Sequence, residues 1–182
     1  MNRYLYWMCL FIVAIAAFYI GIKTYTAGSP VIKKNNITAA HQTFLSASLK
    51  DSKDKTHSLK EWKGKTIVVN FWATWCAPCK KEIPDLNLMR QKWKSRDVEF
   101  IGIAIDYPED VARFLISTPI TYPSFVAPDQ GLQFMQLFGN TQGVLPFSII
   151  MNKQQSSFET IVGTLHPEDL NTRLTKFSTE DN

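Results

Sequence analysis

Cysteine is scarce in this chain of 182 residues, which holds three. Cys9 falls in an apolar N-terminal run and reads as one more small apolar residue, leaving Cys76 and Cys79. A secreted domain stapled by disulfides carries more cysteines at wider spacing. One pair closing so short a loop also adds little chain-entropy stabilisation. A structural zinc site wants four ligands. There is no second CxxC, and the histidines His41, His57 and His166 are isolated from one another in sequence. No phosphate loop or dinucleotide fingerprint is found, so no bound nucleotide cofactor is implied. Internal repeats and low-complexity tracts are missing as well. An excess of one charge is also missing from most of the chain. Residues 1–34 hold four basic side chains and no acidic one, leaving sixteen of each sign in residues 35–182. The pI near 8.9 therefore belongs to the N-terminal segment, and nothing points to nucleic acid, which needs a basic face on the domain itself.

What is present is concentrated in Phe71-Trp72-Ala73-Thr74-Trp75-Cys76-Ala77-Pro78-Cys79-Lys80. The CxxC follows a β-branched apolar run, Thr66 to Phe71, and precedes a helix-like run, Lys80 to Trp93. A cysteine at a helix start has its thiolate stabilised by unpaired N–H groups and the positive end of the helix dipole. Its pKa falls, and the thiolate is the reactive form. Strand, CxxC and helix in that order are an arrangement for thiol–disulfide exchange.

At the N-terminus, Tyr4 to Ile22 is a run of nineteen residues without a charge. That length can cross a bilayer core as a helix, and Tyr4, Tyr6, Trp7 and Tyr19 sit near its ends as interfacial aromatics do. A cleaved signal peptide is the competing reading; the length of the run and bulky Tyr25 two positions before Ala27 favour an uncleaved anchor. Flanking charge does not orient it, since Arg3 lies on one side and Lys23, Lys33 and Lys34 on the other. The expected organisation is an anchor at 1–23, a linker at 24–40 broken by Gly28-Ser29-Pro30, and one domain at 41–182.

Within the domain, β-rich and helix-like runs alternate. Strands are expected at Thr43–Leu49, Thr66–Trp72, Val98–Ile105, Tyr122–Val126, Phe147–Met151 and Phe158–Val162. A helical turn is expected at Ser58–Trp62, and helices at Ala77–Lys94 with a kink at Pro84, Pro108–Ser117 capped by Asp106, Gln130–Phe138 and Pro167–Phe177. The order predicts an α/β fold with a mostly parallel sheet ending in an antiparallel hairpin.

The segment Val68 to Pro84, with WCxPC between strand and helix and a later Pro146 before a strand, resembles the active-site region of membrane-anchored thioredoxin-like proteins of the TlpA/ResA type. The likeness covers roughly Thr43 to Phe177. It implies a thioredoxin-like fold, a mixed central sheet flanked by helices, and a bacterial thiol–disulfide oxidoreductase. The domain would sit on the outer, periplasmic or extracytoplasmic, face of the cytoplasmic membrane, held through residues 4–22. No cofactor is implied beyond the redox-active Cys76–Cys79 disulfide. The implied partners are cysteine-containing extracytoplasmic clients, such as apocytochrome c or copper-site proteins, and a membrane thiol-electron donor.

Cys76 is expected to attack and Cys79, one turn in, to resolve the mixed disulfide. Ala77 and Pro78 tune the pair, and Pro78 also suits a first helical turn. The resemblance implies a cis Leu145–Pro146 bond facing the CxxC, with Leu145 offering backbone groups to an extended client segment; a trans proline opening a strand is the alternative. Glu82, three residues after Cys79, has two readings: a group acting on cysteine ionisation and proton transfer, or a solvated carboxylate beside Lys80 or Lys81. Asn70 stands where cytoplasmic thioredoxins keep a buried Asp, so Glu82 or water must take the proton. Trp75 is expected to shield the disulfide and meet partners, and Trp72 to pack in the core. Two other function classes remain open. A thiol peroxidase fits only the nominal Thr74-Trp75-Cys76 setting, and a soft-metal chaperone would use the CxxC as its ligand pair.

Overall fold

The structure, a computed structural model, describes residues 34–154 and 156–180, together with Trp7, Leu10, Ile12, Val13 and Ile15. Apart from those five helical, exposed residues, the expected span Tyr4–Ile22 lies outside the described residues. Among the described residues no helix is long and apolar enough to cross a membrane. Residues 34–182 form one compact unit.

Its elements are α1 (Lys34–Ser46), β1 (Ser48–Asp51), β2 (Thr56–Ser58), a 3-10 turn (Leu59–Trp62), β3 (Thr66–Trp72), α2 (Ala77–Trp93), β4 (Val98–Ala104), α3 (Pro108–Ser117), β5 (Ser124–Val126), α4 (Pro128–Leu137), β6 (Phe147–Met151), β7 (Phe158–Val162) and α5 (Pro167–Glu180). The sheet order is β2-β1-β5-β4-β3-β6-β7. The β3–β4 and β4–β5 pairings are parallel; the pairings of β6 with β3, β7 with β6, β1 with β5 and β2 with β1 are antiparallel. This is the mixed sheet of a thioredoxin-like fold, with antiparallel strands on both flanks rather than one.

Thr43–Leu49 is not a strand. Ala40, His41, Phe44 and Leu45 are buried, a spacing of neighbours one turn apart that only a helix puts on one side. That side docks on aromatic rings: Phe44 meets Phe134 at 5.0 Å and Phe138 at 6.0 Å, and His41 meets Phe158 at 5.6 Å. The strand starts only at Ser48, after Ala47 N donates to Phe44 O at 3.1 Å. The described helix includes Lys34–Ala40, part of the stretch read as a tether.

β3 is buried along its whole length, which is why it reads as an unbroken apolar run. Its two faces see different surroundings. Ile67, Val69 and Phe71 join Ile101, Ile103, Phe147 and Ile149 in the core beneath α1 and α4. The other face lies under α2 and is divided. Val68, Phe100 and Ile150 pack with Leu86, Met89 and Trp93 of α2 in one apolar cluster. Trp72 and Ala104 pack with Cys76, Cys79 and Ile83 in another. Between them, the register places Ser148, Asn70, Gly102 and Ser124 side by side on four adjacent strands, on one face of the pleat.

Helix α2 runs through Pro84 without interruption. It also fixes the approach to β5: Asn87 donates to Pro119 O at 2.9 Å and accepts from Thr121 N at 2.8 Å. Trp62, Trp72 and Trp93 are buried.

The docking of α1 gives a stability prediction. Phe44→Ala removes a fully buried ring, so it should cost about 3–5 kcal/mol. Urea unfolding should show a lower midpoint at unchanged slope; an unchanged midpoint would mean that α1 is not part of the folded unit.

Candidate active site

β3 delivers the chain into a tight turn that is held from the next strand. Thr74 donates twice to one oxygen of Asp106, from its backbone N at 2.8 Å and its Oγ1 at 2.6 Å. The other carboxyl oxygen of Asp106 accepts from Tyr107 N at 2.9 Å. The sequence had suggested Asp106 as the cap of α3. In the structure Tyr107 is that helix's cap residue, with no side-chain capping bond, and the carboxyl group of Asp106 is spent on the turn before the CxxC. Sequence reasoning missed this positioning role because Thr74 lies 32 residues away.

Cys76 caps α2: its Sγ accepts from Cys79 N at 3.3 Å, and Pro78 occupies the first turn, where its missing N–H costs nothing. Cys76 and Cys79 form a disulfide with Cα atoms 5.3 Å apart. Cys76 is 5% exposed and Cys79 fully buried, the asymmetry expected of an attacking and a resolving sulfur. Trp75 is 66% exposed beside the pair, and Ala77 and Pro78 are exposed too. Trp72 is in the core, as expected.

The Leu145–Pro146 peptide bond is cis. Leu145 packs against the cluster containing both cysteines, so the structure brings these two distant segments together. Asn140, which carried no sequence signal, clamps the loop: its Nδ2 donates to Val144 O at 2.8 Å and its Oδ1 accepts from Val144 N at 3.1 Å.

Glu82 is not solvated; it is 1% exposed. One carboxyl oxygen accepts from Asn70 Nδ2 at 2.7 Å, the other from Leu165 N at 2.9 Å. Burial pushes its pKa above the usual carboxylate range, against the opposing pull of the two donors and of His166. Glu82 thus stands one turn behind Cys79 on α2, a buried carboxyl whose proton affinity is raised. Asn70 also donates to Ser148 Oγ at 3.2 Å, so the position that cytoplasmic thioredoxins fill with Asp here serves to hold Glu82.

The arrangement has counterparts among known proteins. The redoxin family model matches residues 36–174. The thiol-disulfide oxidoreductase ResA of Bacillus thuringiensis (strain Al Hakam) is 35% identical over 129 residues, covering 70% of this chain and 72% of that protein. ResA of Geobacillus thermodenitrificans (strain NG80-2) is 27% identical over 151 residues, covering 82% and 84%. Among solved structures, a thioredoxin-related protein from Neisseria meningitidis serogroup B superposes with a TM-score of 0.65 at 32% identity, covering 72% of this chain and 98% of that one. With a CxxC disulfide capping α2, a cis-proline loop against it and this degree of similarity, the chain belongs to the redoxin family, among its thioredoxin-like thiol–disulfide oxidoreductases of the ResA type.

Proposed function

We propose that this protein is tethered to the outer face of a bacterial cytoplasmic membrane by Tyr4–Ile22 and reduces disulfides of client proteins there. The observation that carries the reading is the placement of Cys76 at the head of α2, with its Sγ on the Cys79 N–H and a buried Glu82 one turn behind. Cys76 attacks a client disulfide as the thiolate, and one client sulfur leaves. Cys79 then attacks Cys76 Sγ, Glu82 takes the Cys79 proton, and the second client sulfur leaves with the electron pair. A membrane dithiol donor returns two electrons and two protons to the pair. Trp75, Ala77 and Pro78 form the contact surface, and Leu145 presents backbone groups to an extended client segment. Net reduction rests on the resemblance to ResA-type proteins. Apocytochrome c and copper-site proteins of oxidase assembly fit as clients because both keep cysteines reduced on that side of the membrane.

A trap tests the client class. In Cys79→Ser the mixed disulfide on Cys76 cannot be resolved, so extracytoplasmic proteins with paired cysteines should accumulate on it, and Cys76→Ser should capture none. Capture of no such protein in cells that express the clients refutes the proposal, and Cys76-dependent peroxide turnover in its place supports the peroxidase reading.

The raised pKa of Glu82 has its own signature. A carboxyl group whose folded pKa exceeds its unfolded value contributes stability that is full below about pH 4.3 and lost as pH rises through the folded value. Wild type should therefore lose stability relative to Glu82→Gln with rising pH, by at most about 1.4 kcal/mol per pH unit, and then level off. Paired urea titrations between pH 4 and 9 measure it; a flat difference would show that Glu82 titrates normally.

A further inference from the structure

The sixteen acidic and sixteen basic side chains of residues 35–182 are not evenly spread. Trp72, Ala104 and Phe147 close the end of the sheet that leads to the cysteines, and Thr66, Val98 and Met151 the opposite end. The seven residues of β3 separate the two by about 20 Å. The segments that connect elements at the opposite end carry Lys63, Lys65, Lys94, Arg96 and Lys153. Lys60, Lys63 and Gln154 share a groove of about 550 Å³ beside α1, so these segments adjoin. Among the described residues none of the six cations forms an ion pair, and all but the half-buried Lys65 are exposed. The acidic side chains described there are Glu61, Asp97, Glu99 and Glu159, and Glu159 is already held by Arg173 and Lys176. At the cysteine end, Glu109, Asp110, Asp129, Glu168 and Asp169 open α3, α4 and α5. Helix dipoles account for those acids. They do not account for Lys60, Lys63, Lys65 and Lys153, which lie outside the α-helices.

The chain also enters the domain at the basic end. Lys50 pairs with Val126, itself beside Ala104, so Ser48 lies at the cysteine end. His41 packs on Phe158, which pairs with Met151 at the opposite end. Helix α1 therefore crosses the sheet from end to end, its thirteen residues spanning about 20 Å, and Lys34 stands at the basic end. Residues 23–33, which separate the expected membrane span from α1, reach at most about 40 Å.

We propose that the basic end of the domain binds the phosphate groups of anionic lipids in the bilayer that holds the chain. This rests on the reading that Tyr4–Ile22 is a membrane tether. A tether of that length keeps the domain beside the bilayer, and its attachment presents the basic end first. Each lysine or arginine close to an anionic surface strengthens binding by about fivefold, an attraction that fades beyond about 10 Å. The same surface repels the acids that open α3, α4 and α5, which reinforces the orientation. The CxxC turn is then held on the side of the domain facing away from the headgroups, where it meets clients.

Lysine reactivity of the full chain in lipid nanodiscs tests this. Acetylation by a membrane-impermeant sulfosuccinimidyl ester is followed residue by residue by mass spectrometry. One set of discs is phosphatidylcholine alone and the other has equal parts of phosphatidylcholine and phosphatidylglycerol. Lys60, Lys63, Lys65, Lys94 and Lys153 should react about fivefold more slowly in the anionic discs, while Lys80 and Lys81, beside the cysteines, keep their rates. About 1 M salt, with a screening length of about 3 Å, should abolish the difference. The double variant Lys63→Glu, Lys153→Glu should lose the protection of Lys60, Lys65 and Lys94. Protection already present in phosphatidylcholine alone, or spread equally to Lys80 and Lys81, would overturn the proposal. Protection of the same lysines in phosphatidylcholine discs by single-stranded RNA, at a lower phosphate concentration than phosphatidylglycerol needs, would assign the face to nucleic acid and overturn it too. A chain that enters neither kind of disc refutes the tether and this proposal with it; one that enters both with equal rates at every lysine refutes this proposal alone.

Discussion

A carboxyl group enclosed between a helix and a sheet needs donors, and much of this protein is arranged around meeting that need for Glu82. An unpaired charge at such depth would cost several kcal/mol, a large part of the net stability of a domain this size. Asn70 supplies one donor from the middle of β3 and Leu165 supplies the other from the backbone just before α5. The carboxyl group thus joins the central strand, the active-site helix and the entry to the last helix. It also fixes the register of α2 on the sheet. With Glu82 over Asn70, Cys79 and Ile83 fall on the Trp72 side of the polar row and Leu86, Met89 and Trp93 on the Val68 side. The position of the disulfide follows from that register.

The turn that carries the cysteines is held independently. Asp106 spans from the end of β4 to Thr74, and Ile105 N donates to Trp72 O at 2.8 Å close by. The cis-proline loop has a third restraint in Asn140. Three polar side chains, each on a different segment, position a site whose reacting atoms are only two sulfurs. This division suits chemistry in which the protein supplies geometry and proton handling, and the cysteines supply the electrons.

What could be read from sequence follows how local each signal is. β3, β6, β7 and α3 have the expected limits because their apolar runs or proline starts are contained in the segments themselves. The CxxC was legible from its place between an apolar strand and a helix, and the cis Leu145–Pro146 bond from the resemblance. α1 was not: Asn35 and Asn36 are weak helix formers, and its stability comes from docking on Phe134, Phe138 and Phe158. β2 is only three residues long and exists by pairing with β1. Glu82 could be placed near the cysteines by helical spacing, but its burial depends on Leu165, 83 residues later. Asp106 carried a correct polar signal that pointed to the wrong partner, because a carboxylate before a helix is the ordinary cue for a cap. Ser124 and Ser148 look unremarkable alone and acquire meaning only from strand register.

The difference in burial between the two sulfurs limits who can decide the outcome of an encounter. Cys79 has no surface for another macromolecule to touch, whereas Cys76 has a little. Every joined intermediate is therefore made at the same atom. What another macromolecule meets first is therefore the small exposed edge of Cys76 and the indole of Trp75, which stands out beside it.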